Sequence, residues 1–183
     1  VVDRLDKDLK RRQLYFVHNV GSKAEKAFLV TEETDAKWIA SLSGIVEPNP
    51  RDNSQIVFGS ERDGFNHLYL ATIERAAKEP NPNGEIRQEN PSDPGFSGKV
   101  ETKQLTSGKW QVEWAKWQTQ SNQRIVFTST EDGTAERQFY HLSLSNGSKT
   151  AVFIESGMKN SPQISESGDV LLYETSTWMI PTD

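Results

Sequence analysis

The sequence predicts an all-β protein built from short, repeated strands. Apolar runs are bounded by Asp-Gly, Asn-Gly and Ser-Gly pairs, the runs recur along the chain, and helical periodicity is scarce. Such pairs are typical of hairpin turns because Gly accepts a positive φ at low cost. Only residues 72–79 are compatible with a helix, which Pro80 and Pro82 would end. The predicted strands are 13–19, 26–31, 55–60, 66–73, 101–106, 111–117, 124–130, 137–144, 150–155 and 169–175.

These runs repeat in a fixed order. The run Ile56-Val57-Phe58 reappears as Ile125-Val126-Phe127, and the SERDG of residues 60–64 reappears as the STEDG of residues 129–133. A further copy begins at Val170. The step from Ile56 to Ile125 is about 25 residues longer than the step from Ile125 to Val170, so the first complete copy contains an insertion.

The insertion covers residues about 78–101, a stretch rich in Pro, Gly, Asn and charge that is predicted to be exposed. Without it the repeat has about 45 residues and four strands, which is the signature of a β-propeller blade. We therefore predict a partial β-propeller of four-stranded antiparallel blades, forming a single segment. Two blades are complete (38–106 and 107–156), and two are partial (1–37 and 157–183). Blades cover one another's apolar faces, so open end faces and association into a homodimer are expected.

Composition and charge exclude several classes of function. The formal net charge is -5 and the sequence pI is about 5.3, whereas binding to nucleic acid requires a basic face. The chain has no cysteines, which excludes disulfides, thiolate metal sites and cysteine nucleophiles, and we expect no cofactor. No apolar run approaches the roughly 20 residues of a membrane-spanning helix, so no membrane insertion is expected. Because the chain begins without Met, we expect it to be a segment of a longer protein.

One hairpin and the link that follows it have a recognisable sequence. Residues 60–69 read SERDGFNHLY, and residues 104–112 read QLTSGKWQV. They resemble the "SERDG-aromatic-x-HLY" hairpin and the link into the next blade in the propeller of the dipeptidyl peptidase IV family, in particular its bacterial members. The remaining similar segments follow the family's linear order, so the resemblance covers nearly the whole chain: 4–15, 125–128, 136–140 and 173–181.

This resemblance implies the later half of an eight-bladed N-terminal propeller that caps a C-terminal α/β-hydrolase domain. Family members are serine exopeptidases that release N-terminal dipeptides or tripeptides, often after proline. The resemblance implies a non-catalytic segment that gates and shapes the access of peptide substrates to a hydrolase domain outside this chain, in a periplasmic or secreted protein. The alternative is a free-standing propeller module that binds protein or carbohydrate.

The candidate catalytic residues fit structural positions better. Residues 95–99, GFSGK, are the nearest approach to the G-x-S-x-G nucleophile elbow around a Ser, but they lack its last Gly. All three histidines lie on or beside repeat strands: His18, His67 and His141. His67 aligns with Gln138 and His141 aligns with Leu70, residue types that cannot replace a catalytic or metal-binding His. We predict no catalytic or metal-binding residue in this chain.

Three further segments are candidate binding sites. Family members bind the substrate's N-terminal ammonium with a pair of glutamates; the adjacent pair here is Glu32-Glu33, but its surroundings match a link between blades and predict a solvated turn. Residues 39–43 border the substrate tunnel by family position but lack the aromatic and Arg of some relatives, so substrate-binding residues stay unknown. Asn146-Gly147-Ser148 fits the N-glycosylation pattern, although an Asn-Gly pair at a hairpin tip accounts for it better.

Three tryptophans lie close together, at positions 110, 114 and 117. Trp110 and Trp114 share one strand face, because side chains alternate with period two along a strand. We predict that these aromatics pack blade against blade. An aromatic platform for a ligand is the alternative.

Overall fold

The computed structural model describes residues 1–18, 20–21, 23, 25–39, 44–75, 96–121, 123–152, 156–165 and 167–177. Across these ranges the protein consists of strands and turns without a helix, which confirms the predicted all-β fold. Accordingly, the described part of the chain contains no helix long and apolar enough to cross a membrane. In chain order the strands are β1 (Val2–Leu5), β2 (Arg11–His18), β3 (Lys26–Thr34), β4 (Val46–Pro48), β5 (Gln55–Ser60), β6 (His67–Arg75), β7 (Phe96–Gln104), β8 (Val112–Trp117), β9 (Arg124–Ser129), β10 (Gln138–Ser143), β11 (Lys149–Ala151), β12 (Met158–Ile164) and β13 (Leu171–Ser176).

The described strands form two four-stranded sheets with a smaller sheet before and after them. Strands β4 to β7 form one four-stranded sheet and β8 to β11 form the other, each in sequence order. β1 to β3 form a three-stranded sheet, and β12 pairs with β13. Repeated four-stranded antiparallel sheets in sequence order are the architecture of β-propeller blades. The partial-propeller fold is therefore confirmed, while the blade boundaries stay a prediction.

The second strand of each four-stranded sheet is buried along nearly its whole length. Ile56, Val57 and Phe58 of β5 are at most 1% exposed, and their repeat partners in β9 are at most 2% exposed. A strand that is covered on both faces needs a continuous apolar run instead of an alternating one. The repeated run in the sequence therefore corresponds to the inner strands of the two sheets.

Two predicted boundaries are wrong. Strand β6 ends at Arg75, so residues 72–75 belong to the strand predicted at 66–73 and its extension, and not to a helix; burial alternates there, with Ala71 and Ile73 0% and 1% exposed and Thr72 partly exposed. Strand β7 begins at Phe96, so residues 96–101 belong to a strand and not to the exposed insertion. Residues 76–95, which include the rest of the predicted helix and insertion, lie outside the described residues.

The strands that the sequence did not predict are short or polar. β1 and β4 have four and three residues, and β12 contains a bulge between Asn160 and Gln163 that interrupts its alternation. Strand β11 ends at Ala151, and the last three residues of the predicted strand 150–155 lie outside the described residues. Lengths of three or four residues are too short for a periodic pattern.

The contacts divide the chain into two compact units, Val1–Ile39 with Ala71–Thr102, and Ala40–Leu70 with Lys103–Asp183. In the first unit the ring of Phe96 lies edge-on to Phe16, with 5.0 Å between centroids. The second unit has a buried apolar core contributed by both four-stranded sheets: Ile45, Val57, Leu68, Val112, Ala115, Trp117, Ile125, Phe127, Tyr140 and Leu142. This core supports the hairpin described next.

Candidate functional site

Two charged residues of the SERDG hairpin, Arg62 and Asp63, have separate partners within the protein. Strand β5 ends at Ser60, and the chain turns at Gly64, whose φ of 100° favours glycine. The Arg62 Nε donates a hydrogen bond to Ser60 Oγ at 2.8 Å. The Asp63 carboxylate accepts one from Gln104 Nε2 at 2.6 Å. The hairpin is therefore held by its polar side chains, and these do not converge on a common point.

His67 begins strand β6 and is 1% exposed. Its Nε2 lies 3.0 Å from the Gly108 carbonyl oxygen, and its Nδ1 lies 3.1 Å from Thr106 Oγ1. A carbonyl only accepts hydrogen bonds, so Nε2 carries the proton. The Thr106 hydroxyl accepts a bond from the Leu68 N–H at 2.9 Å, which leaves its own hydrogen for Nδ1. These bonds give His67 the role of fixing the link between the two four-stranded sheets.

Gln138 makes the corresponding contact one repeat later. Its Nε2 donates to the Gly157 carbonyl oxygen at 3.3 Å, as His67 does to Gly108. Gly108 and Gly157 both follow a serine and both have positive φ, 141° and 114°. In both sheets, a side-chain N–H at the start of the third strand donates a hydrogen bond to a backbone carbonyl in the link that follows the sheet. This feature was missed from the sequence, although the repeated Ser-Gly pair was a signal for it.

The indole of Trp110 packs against the backbone of the link at Gly108. A Cβ at position 108 would lie 2.6 Å from Trp110 Cδ1, so a larger residue would displace the ring. The indole also contacts the His67 imidazole edge-on, with 4.8 Å between centroids. Trp110 therefore packs the link against the preceding hairpin.

The other two tryptophans contact strands of the second unit. The Trp117 Nε1 donates to the Glu47 carbonyl of strand β4 at 2.8 Å. The Trp114 ring lies edge-on to Phe139, with 6.3 Å between centroids. All three tryptophans are thus engaged in packing within the protein.

The two remaining histidines have separate surroundings, His18 in the first unit and His141 in the second. His18 lies edge-on to Phe96 in the first unit, with 4.9 Å between centroids. His141 is half-buried on strand β10, where burial, with a smaller contribution from the Arg124 charge, lowers the pKa of its imidazole. Within the described ranges, no group of three or more His, Asp or Glu side chains is arranged to hold a metal ion.

Ser97 lies on strand β7 and not at a strand-to-helix turn, unlike the nucleophile of G-x-S-x-G. Its hydroxyl lies 3.2 Å from the Glu74 carbonyl oxygen. The Asn146 Oδ1 accepts a hydrogen bond from the Ser148 N–H at 3.0 Å, which makes a side-chain turn at the hairpin tip between β10 and β11. Of residues 39–43, only Ile39 is described.

The prediction of a solvated turn at Glu32-Glu33 is wrong, because both residues lie on strand β3. Consecutive residues of a strand point to opposite faces, so their carboxylates have different partners. Glu32 accepts hydrogen bonds from Arg11 and Gln13, both 2.6 Å long, and these bonds lower the pKa of its carboxyl. The Glu33 carboxylate lies 3.8 Å from the guanidinium of Arg12. The pair thus braces β2 against β3, and the two carboxylates do not form one ammonium site.

The buried guanidinium of Arg12 links strand β2 to strand β1 in the same sheet. Arg12 is 2% exposed, and its Nε and Nη2 donate to the two carboxylate oxygens of Asp3 at 3.0 and 2.9 Å. A bidentate pair of this kind compensates the burial of a charge. The adjacent basic residues Arg11 and Arg12 therefore both lie on strand β2 and pair with carboxylates within the sheet β1–β3.

The fold and the hairpin together define a class of protein, the β-propellers built from repeated four-stranded antiparallel sheets. Within that class, a family model described as the N-terminal region of dipeptidyl peptidase IV (DPP IV) matches residues 1–182. The chain belongs to this family, which confirms the resemblance of the SERDG hairpin and its link.

Solved structures show the same fold. A protein assigned as a dipeptidyl aminopeptidase IV from Bacteroides ovatus superposes with a TM-score of 0.65 at 22% sequence identity, and the match covers 96% of this chain. The dipeptidyl peptidase 4 of Porphyromonas gingivalis superposes with a TM-score of 0.61 at 18% identity over 93% of this chain. The chain spans 24% and 20%, respectively, of the lengths of these proteins.

Proposed function

We propose that the chain is a non-catalytic propeller segment of a dipeptidyl peptidase IV-like serine exopeptidase. The observation that carries this proposal is the family match over residues 1–182, in a chain that spans only about a fifth to a quarter of two similar proteins. The proposed partners are a C-terminal α/β-hydrolase domain, peptide substrates and a second copy of the chain. The proposed location is the periplasm or the cell exterior.

The internal bonding of the hairpin supports a structural role for its polar residues. His67 has partners at both ring nitrogens, and Asp63 is bonded to Gln104. A catalytic His must instead reach a nucleophile and a substrate. The proposed work of the segment is mechanical: it contributes rigid sheets to a wall that admits an unfolded peptide end and excludes folded protein.

A first experiment tests the absence of catalysis. The 183-residue chain is incubated with a Pro-containing dipeptidyl chromogenic substrate, and release of the chromophore is measured. We expect no hydrolysis above the buffer rate. Turnover by the purified chain that a serine-directed inhibitor abolishes would overturn the proposal. The sequence of the gene beyond Asp183 separates the proposal from a free-standing binding module, since only the proposal requires a hydrolase domain with G-x-S-x-G.

A second experiment tests gating in the complete protein. Gly108→Ala displaces Trp110 from the link, whereas Gly147→Ala adds a methyl group to another glycine of positive φ, 70° against 141°, that has no neighbour within 4 Å. The ratio of the cleavage rates of a long polypeptide and a dipeptidyl chromogenic substrate is measured for both. We expect Gly108→Ala to raise this ratio severalfold and Gly147→Ala to leave it unchanged. Equal ratios in a Gly108→Ala protein that remains folded would argue against gating by this segment.

A further inference from the structure

Both four-stranded sheets contain the same buried pair of aromatic rings. Phe58 stacks on Tyr69 with centroids 5.7 Å apart and an interplanar angle of 24°. One repeat later, Phe127 stacks on Tyr140 at 5.4 Å and 25°. None of the four residues is more than 5% exposed. The face of each stack is a region of negative electrostatic potential, which attracts a cation.

In the first sheet the cation comes from the hairpin turn. The Arg62 Cζ lies 4.5 Å from the centroid of Tyr69 and 5.6 Å from that of Phe58. The hydrogen bond from Arg62 Nε to Ser60 Oγ orients the guanidinium on the stack. Both distances lie within the roughly 6 Å range of a cation–π interaction.

In the second sheet the same turn position carries the opposite charge. Glu131 stands where the first copy has Arg62, and an anion there cannot lie on the face of Tyr140 favourably. Lys149 of strand β11 takes its place: its Nζ lies 5.0 Å from the centroid of Tyr140 and 5.3 Å from that of Trp110. The same ammonium forms an ion pair with Glu131.

We propose that each four-stranded sheet contains a cation-binding site on its Phe–Tyr stack, specific for a guanidinium or a primary ammonium, which the chain fills from within. Arg62 is the occupant in the first sheet and Lys149 in the second. The turn residue sets the source of the cation. An Arg in the turn fills the site directly, and a Glu in the turn recruits a Lys from the edge strand. This inference stands independently of the proposed peptidase role.

The proposal predicts that an Arg in the turn of the second sheet can replace Lys149 as the cation on Tyr140. In the 183-residue chain, Glu131→Arg combined with Lys149→Ala rebuilds the first sheet's arrangement on Tyr140. Lys149→Ala alone is expected to lower Tm by about 2–4 °C, since an interaction of about 1 kcal/mol corresponds to that shift in a chain of this size. Glu131→Arg alone is expected to lower Tm as well, because two cations then compete for one site. The double variant is expected to return to within about 1 °C of the parent protein.

A matched control separates the site from an ordinary surface ion pair. Lys99 pairs with Glu74 at 3.7 Å, with side chains 77% and 55% exposed, so Lys99→Ala is expected to leave Tm unchanged. The proposal is overturned if the double variant is as unstable as the sum of its two single variants. It is overturned equally if Lys149→Ala is indistinguishable from Lys99→Ala.

Discussion

Replacement of His67 tests whether the histidine of the family hairpin fixes the link between sheets. The second copy of the repeat provides the conservative substitution, and leucine provides the disruptive one. His67→Gln introduces the residue that the second copy uses, whose Nε2 donates to the carbonyl of Gly157 at 3.3 Å. His67→Leu has a similar volume and no hydrogen-bonding atom. We expect the Gln variant to lose about half as much stability as the Leu variant.

The magnitude follows from the two hydrogen bonds of the imidazole. A hydrogen bond contributes about 0.5–1.5 kcal/mol net, so the loss of both in His67→Leu is worth about 1–3 kcal/mol. His67→Gln keeps the bond to the Gly108 carbonyl and loses the bond to the Thr106 hydroxyl, which is worth about half as much. At the midpoints of about 2 and 1 kcal/mol, and with about 2–4 °C per kcal/mol for a chain of this size, we expect Tm to fall by about 4–8 °C in the Leu variant and about 2–4 °C in the Gln variant.

The assay is urea unfolding followed by tryptophan fluorescence, together with a thermal melt. Trp110 contacts the His67 ring at 4.8 Å between centroids, so its emission reports on the same link. If the Leu and Gln variants lose equal stability, the hydrogen bonds are not the reason for the histidine, and the reasoning is refuted. A Leu variant as stable as the parent would refute it more directly.

Three further predictions concern the second sheet and its link. His141→Leu introduces the residue that the first copy has at position 70, and it should make the stability less sensitive to acid. Burial lowers the pKa of the His141 imidazole. The contribution of the neutral imidazole to stability is therefore present above the ordinary pKa of about 6.5 and is lost as the pH falls below it. Urea midpoints between pH 8 and pH 5 should fall less in the variant. Gly157→Ala should lower Tm by several degrees, because φ is 114° and a Cβ would lie 2.6 Å from the Ser176 carbonyl oxygen; an unchanged Tm would refute this. Tyr140→Phe should reduce alkaline destabilisation, since burial raises the pKa of the phenol above its usual 10, so its contribution is full below pH 10 and lost as the pH rises above; equal slopes for parent and variant would refute it.

The features that the sequence predicted well are those that the chain repeats. The run Ile56-Val57-Phe58 recurs at 125–127, and two independent copies make an inner strand recognisable. Asp63-Gly64 was recognisable for a different reason, because a positive φ restricts the choice of residue. The all-β class and the repeated unit therefore followed from such copies, and the family followed from residues 60–69 and 104–112.

The features that the sequence did not predict depend on tertiary contacts. Residues 72–75 have helix-compatible composition, yet the burial of Ala71 and Ile73 makes them a strand, because packing overrides a weak propensity. Phe96 follows a Pro- and Gly-rich stretch, so composition assigned it to the insertion, whereas its ring packs against Phe16. The bonds of His67 and Gln138 to link carbonyls were missed for a similar reason, since the acceptor is a backbone group and only the repeated Ser-Gly pair marks its position in the sequence.

The comparison of the two copies indicates what the family hairpin conserves within this chain. Arg62 is replaced by Glu131 and His67 by Gln138, so neither charge nor residue type is retained. The interactions are retained: a cation lies on the strand tyrosine in both sheets, and a side-chain N–H holds the carbonyl of the next link in both. Catalysis depends on the pKa and nucleophilicity of particular groups, and exchanges of this kind would abolish it. Packing depends on the position of a charge or a donor, which different residues can supply from different strands. A hairpin with such exchanges between its own copies is suited to setting the geometry of the sheets, and this agrees with the non-catalytic role that we propose for it.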